Sequence, residues 1–259
     1  MKLPLWQVDA FALQRFKGNP AAVVPLGEWL PDATMQAIAA ENNLAETAFF
    51  VAQGDDYAIR WFTPAQEVPL CGHATLASGW VVLNKLEPER VSVTFHSKSG
   101  PLTVSRAGAR LAMDFPSIPP GSATPHPELV RALGAAPQAL FEGYQWLAVY
   151  ESAAQVRALR PDFPALGKLP LHAVIATARG EDCDFVSRFF VPSAGIDEDP
   201  VTGSAHSRLV PYWARVLGKT ALHARQVSAR GGELWCELKG DRVIMAGHVA
   251  PYLEGTIEV

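Results

Sequence analysis

The chain has 259 residues, of which 49% are hydrophobic and 19% charged, with 12 Phe, 7 Trp and 5 Tyr. Such a composition buries enough apolar surface to offset the entropy of ordering, which excludes a mainly disordered state, and the length allows one large domain or two of about 130 residues. Lys and Arg total 22 against 26 Asp and Glu, a net charge of −4 with no basic run, so nucleic acid is not an expected partner.

In chain order, the pattern predicts strands at 3–8 and 21–24, then a helix at 33–41 with Pro31 and Asp32 as start signals. Strands follow at 47–51 and 58–62, a helix at 74–86, and strands at 91–95 and 110–114. The second half reads as a helix at 127–133, strands at 173–176 and 186–190, and a helix at 205–217. Gly134 and Gly218 stand where glycines end helices. The Pro/Gly/Ser-rich stretch 116–127 is the natural linker, giving an N-terminal half at 1–116, a linker at 117–127 and a C-terminal half at 128–259. The last strand is free to cross to the first half.

No apolar stretch reaches the roughly 18–20 residues of a membrane helix, so no membrane partner is expected. Gln7 and Asp9 interrupt any apolar core of a secretory signal, which makes the cytoplasm the expected location. Cys71, Cys183 and Cys236 show no C-x-x-C spacing, so neither a disulfide framework nor a zinc knuckle is suggested.

An internal echo is the strongest organisational signal. Arg60-Trp61-Phe62-Thr63-Pro64-Ala65 followed by Pro69-Leu70-Cys71-Gly72-His73-Ala74 matches Arg188-Phe189-Phe190-Val191-Pro192-Ser193 followed by Pro200-Val201-Thr202-Gly203-Ser204-Ala205. The offset is 128 residues at the arginines and 131 at the prolines, so the second copy carries three extra residues between them. Two duplicated halves are expected, each with a helix N-terminus whose unpaired amides suit an anion. The Gly72 and Gly203 turns would then hold a carboxylate substrate.

Side chains at these turns supply the chemistry. Cys71 opens one helix, where a thiolate would be stabilised, although a small buried residue is the commoner role for cysteine. Its counterpart is Thr202, which cannot titrate near neutral pH, so a two-thiol racemase is disfavoured. His73 is a candidate proton carrier. Asp197, Glu198 and Asp199 precede the second helix, and Asp199 by itself reads as a cap. With His206 they lack metal-ligand spacing, and no metal is expected. Glu46 enters an apolar strand directly after a helix. Composition favours a surface glutamate there, whereas burial would make it a general acid/base.

The segments Val8-Asp9-Ala10-Phe11 with Gly18-Asn19-Pro20-Ala21-Ala22-Val23, the Glu46 strand, Arg60 to Pro64, Cys71-Gly72-His73-Ala74-Thr75, and Asp199 to His206 together resemble the PhzF family of phenazine-biosynthesis-like isomerases. The resemblance covers essentially the whole chain. It implies an α/β (α+β) diaminopimelate epimerase-like fold, with two pseudo-symmetric domains, each a curved mixed sheet around a central helix, and an active site in the cleft between them. It implies a cofactor-independent isomerase moving a proton on a small cyclic or unsaturated carboxylic acid, of the trans-2,3-dihydro-3-hydroxyanthranilate isomerase type. Glu46 would be the acid/base, His73 and Asp199 would share the catalytic site, and Asn19, Cys71, Gly72, Gly203 and Ser204 would bind substrate, with neither metal nor cofactor. A homodimer is expected. Cys71 keeps open a thiol-dependent epimerase or dehydratase, and a non-catalytic binding or scaffold protein is the third reading.

Overall fold

The computed structural model describes Met1–Val259, and its contacts divide the chain into two units, Met1–Asp114 with Ala246–Val259 and Phe115–Met245. The elements of the first half are β1 (Lys2–Ala10), β2 (Asn19–Leu26), α1 (Asp32–Asn42), β3 (Glu46–Gln53), β4 (Asp56–Phe62), β5 (Glu67–Val68), α2 (Gly72–Val81), β6 (Ser92–Ser97), β7 (Gly100–Ala107) and β8 (Arg110–Pro116). Next come α3 (Pro127–Leu133), β9 (Ala139–Phe141), β10 (Gln145–Val149), α4 (Ala153–Ala158), α5 (Phe163–Leu166), β11 (Ala173–Arg179), β12 (Phe185–Val191), β13 (Ile196–Asp199), α6 (Gly203–Leu217), β14 (Ala221–Gln226), β15 (Gly232–Lys239), β16 (Arg242–Gly247) and β17 (Val249–Glu258).

The same pairing scheme occurs twice. In the first unit β2 runs parallel to β3, β3 antiparallel to β4, β4 antiparallel to β5 and parallel to β6, and β6 antiparallel to β7. In the second, β10, β11, β12, β13, β14 and β15 repeat each of those relations in order. Helices occupy matching places: α1 corresponds to α4 and α5, and α2 to α6. The echo in the sequence is therefore an echo in topology.

Central helix α2 is buried on every side except at Gly72 and Trp80, as expected for a helix apolar all round. The sheet comes so near that a Cβ on Gly79 would lie 2.5 Å from a Val104 methyl carbon. Beyond Val81 the helix widens into a π-turn over Val82–Leu86, closed by the Glu87 amide donating to the Val82 carbonyl at 2.7 Å. A separate core packs α1 against the sheet through Met35, Ile38, Ala39, Phe49 and Phe62. In the second unit α3 and α4 cover Trp146, Val174, Val186 and Phe190.

Stretch 117–127 is not a free linker. Pro211 inside α6 has no N–H, so the Ser207 carbonyl one turn earlier is left for another donor, and the Ile118 amide takes it at 2.8 Å. The Ser117 amide bonds the Asp241 carbonyl and the Thr124 amide the Leu140 carbonyl, tying this stretch to the second unit. At the other end β17 lies antiparallel to β1 from Lys2↔Glu258 to Ala10↔Val249. No helix is long and apolar enough to cross a membrane.

Candidate active site

Both central helices begin in the same way. Cys71 precedes α2 at φ −144°, ψ 110°, and Thr202 precedes α6 at φ −115°, ψ 104°. Neither side chain caps its helix, so the first-turn amides at Gly72 and Gly203 are left without the acceptor a Ser, Asp or Asn cap would provide. Each cap carbonyl instead receives a side chain four residues on: the Thr75 hydroxyl bonds Cys71 O, and His206 Nδ1 bonds Thr202 O at 2.8 Å. The Asp199 carboxylate accepts from the Thr202 hydroxyl.

In the first unit α2 projects His73 towards the start of two neighbouring strands. Parallel pairing sets Glu46 of β3 beside Ala21 of β2, while Asn19 opens β2. Asn43 ends α1 in the left-handed conformation at φ 48°, and Asn42 Nδ2 donates to the Thr47 hydroxyl at 3.1 Å, fixing the turn into β3. These constraints bring four of the expected residues together. His73 Nε2 faces Glu46 Oε2 at 3.1 Å, and on the other edge of the ring Nδ1 lies 3.2 Å from Asn19 Nδ2 and 3.6 Å from Cys71 Sγ. His73 and Cys71 are buried, and the Glu46 side chain is 18% exposed, which corrects the surface placement favoured by composition. Neither Glu46 Oε2 nor His73 Nε2 has a well-aligned hydrogen-bond partner. Their contact is a close approach of opposite charges rather than a linear bond.

Burial works against the His73 cation, but the Cys71 sulfur and the Glu46 carboxylate act the other way and hold it well above its ordinary value. Cys71 is itself pushed up, first by burial and then by Glu46, so it remains a thiol. At this helix start desolvation outweighs the dipole, and Cys71 occupies the small buried place that is the commoner role for cysteine.

Glu46, Cys71 and His73 each offer a ligand atom within 4.8 Å of the others. The imidazole, however, turns one nitrogen to the thiol and the opposite nitrogen to the carboxylate, so an ion on either nitrogen would lie away from one of the other two ligands. The grouping fits proton transfer better than metal ligation.

The second unit arranges Asp199, Gly203 and Ser204 around α6. Gln226, fully buried on β14, donates through Nε2 to Asp199 O at 2.8 Å and to the Thr202 hydroxyl, and its Oε1 accepts from the Thr202 amide at 2.8 Å. Ser204 accepts from Gln145 Nε2 at 3.0 Å. Glu198 is held by Arg188, and His206 is oriented by its Nδ1 contact with Thr202 O. Sequence reasoning missed Gln226 and Gln145. The signal for Gln226 was its place on the buried face of β14, alternating with Leu222 and Ala224.

Two α/β units wound alike, each with an uncapped central helix, define the diaminopimelate epimerase-like fold, and one helix start carries a close carboxylate–imidazole pair. A hydroxyproline epimerase from Agrobacterium vitis shares the fold at a TM-score of 0.59 and 12% identity, over 99% of this chain and 92% of that one. The model of the phenazine biosynthesis-like protein family matches residues 8–255, and the chain belongs to that family. It is 50% identical over 259 residues, all of both chains, to an uncharacterized isomerase of Pseudomonas aeruginosa. A crystal structure of a PhzF-family phenazine biosynthesis protein from Enterococcus faecalis superposes with a TM-score of 0.97 at 47% identity, covering 100% of each chain. The protein is an isomerase-type enzyme.

Proposed function

We propose that the protein isomerises a small cyclic or unsaturated carboxylic acid by moving one proton between two carbons, with Glu46 as the acid/base and no metal or cofactor. The observation that carries this is the Glu46 Oε2–His73 Nε2 approach at 3.1 Å, with both atoms shielded from solvent and neither otherwise hydrogen-bonded. The Glu46 carboxylate takes a proton from one substrate carbon, leaving a delocalised anion, and returns it to another carbon. His73 holds the carboxylate in place throughout. Asn19 and Cys71 fix the opposite edge of the imidazole, while the Gly72 and Gly203 amides, Ser204 and Asp199 are assigned to substrate binding and orientation. Proton transfer of this kind contributes typically about 10²–10⁴-fold.

A second reading takes Cys71 as the reacting group, favoured by its Sγ lying 3.6 Å from His73 Nδ1. Proton NMR in D2O separates the two, using dihydro-hydroxyanthranilate and a panel of cyclic amino, hydroxy and unsaturated acids. Deuterium uptake that falls by about 10²-fold or more in Glu46→Gln and survives Cys71→Ser is expected. Loss in Cys71→Ser alone would transfer the chemistry to the thiol.

A further inference from the structure

Arg208 stands on α6 one helical turn beyond Ser204, on the same face. It is 6% exposed. Its Nη2 donates to the Glu142 carbonyl at 3.1 Å, its Nε has no partner, and no carboxylate pairs with it. Four half-buried arginines elsewhere differ: Arg60, Arg90, Arg188 and Arg225 each hold an acidic side chain. A guanidinium does not lose its proton in a protein, and a lone buried cation is costly. Burial presses Arg208 downward from an ordinary value so high that it stays charged.

The surroundings are cut to this side chain. A Cβ on Gly143 would lie 2.4 Å from both Nη1 and Nη2, so the guanidinium rests on bare backbone. The same short segment serves both residues of the helix face, Glu142 through its carbonyl to Arg208 and Gln145 through its amide to the exposed Ser204.

We propose that Arg208 receives a second acidic group of the ligand, so that the substrate is a small di-acid with one carboxylate at the Gly203–Ser204 turn and a further carboxylate or phosphate-type group on the guanidinium. This rests on the reading of that turn as a carboxylate seat. Positions four apart on a helix are roughly 6 Å apart, which suits acids separated by about two to four atoms. The fork of N–H donors matches a carboxylate or a phosphoryl group in a way that a lysine would not.

The test titrates succinate, its monoamide succinamate and 3-phosphonopropionate into arginine-labelled protein, following the Arg208 Nε–H resonance by NMR and the affinities by calorimetry. Succinate or the phosphono acid is expected to bind at least about tenfold more tightly than succinamate and to shift that resonance, and the ratio of the two di-acids decides between carboxylate and phosphate chemistry. Arg208→Gln should abolish the preference and Arg208→Lys should retain only part of it. A Tm for Arg208→Gln equal to or above that of the parent is expected, since an uncompensated buried charge has been removed. Equal affinities for succinate and succinamate, or a preference that survives Arg208→Gln, would overturn the proposal. Ser204→Ala addresses the seat separately: if succinamate binds it as tightly as it binds the parent, the carboxylate seat is wrong whatever Arg208 does.

Discussion

At the start of α2 the cap, its glycine and the next residue are Cys71, Gly72 and His73, whereas at the start of α6 they are Thr202, Gly203 and Ser204. Backbone angles, the missing side-chain cap and the return bond to the cap carbonyl are shared. The ionisable chemistry is not. The first start has a carboxylate against its histidine, and the second has Asp199, Thr202 and Gln226 joined by hydrogen bonds, with a histidine hydrogen-bonded to a carbonyl. The backbone of the two starts is thus alike, while the paired carboxylate and imidazole occupy only one copy. That asymmetry suits the proposed one-carboxylate proton shuttle.

Gln226 makes three of the bonds that hold the second loop, so the sharpest way to break the comparison is Gln226→Leu. The substitution leaves the buried Thr202 amide without an acceptor and removes two further bonds, to Asp199 O and the Thr202 hydroxyl. An unpaired buried amide costs about 1–3 kcal/mol and each lost bond about 1, so a fall of about 4 kcal/mol in urea denaturation is expected. A change below about 1 kcal/mol would mean that the loop holds itself without Gln226.

The two histidines should tilt stability in opposite directions. Burial presses His206 down to about 4, the Thr202 carbonyl opposing weakly. The unfolded chain takes up that proton near pH 6.5, so stability declines as pH falls from about 6.5 to about 4, by roughly 3 kcal/mol. For His73, raised in the folded protein, the contribution is complete below about pH 6.5 and is lost as pH climbs through the folded value. Urea midpoints between pH 4 and 9 should show His206→Gln flattening the acid limb and His73→Gln the alkaline one. Parallel profiles for the two variants would remove the electrostatic difference between the starts.

Much of this was legible beforehand. The strands at 47–51 and 58–62 and the helix at 127–133 fall within or on the observed elements, because alternation and amphipathic spacing are local signals. The echo disclosed the repeated topology. Cys71 stayed open between thiolate and buried thiol because a helix start suggests the first, while desolvation depends on neighbours far along the chain. Gln226 and Arg208 were missed for the same reason: a polar residue on a buried face shows its purpose only when its partners, or their lack, are known. The 116–127 stretch looked like a linker because proline and glycine report backbone shape, not whether Ser207 has a carbonyl to spare.

The smallest expected effect concerns the arginines that head the echo. Arg60 forks onto Glu67 with Nε–Oε1 and Nη2–Oε2 distances of 2.9 and 2.8 Å, and Arg188 onto Glu198 at 2.8 and 2.7 Å. Each guanidinium also lies over the phenylalanine two residues on, 5.2 Å from Phe62 and 4.8 Å from Phe190. Their third contacts differ. Arg60 reaches Asp32, whose side chain is 76% exposed, while Arg188 donates to the carbonyls of Val156 and Leu159. Arg188→Met strands two carbonyls as well as a carboxylate and should cost about 2 kcal/mol, whereas Arg60→Met loses a surface pair worth little beyond its fork and should cost about 1. Equal losses in denaturant titrations would show that the shared fork carries the energy. The three extra residues between Arg188 and Pro200 would then have lengthened the loop without altering what holds it, and the asymmetry of the protein would be confined to its helix starts.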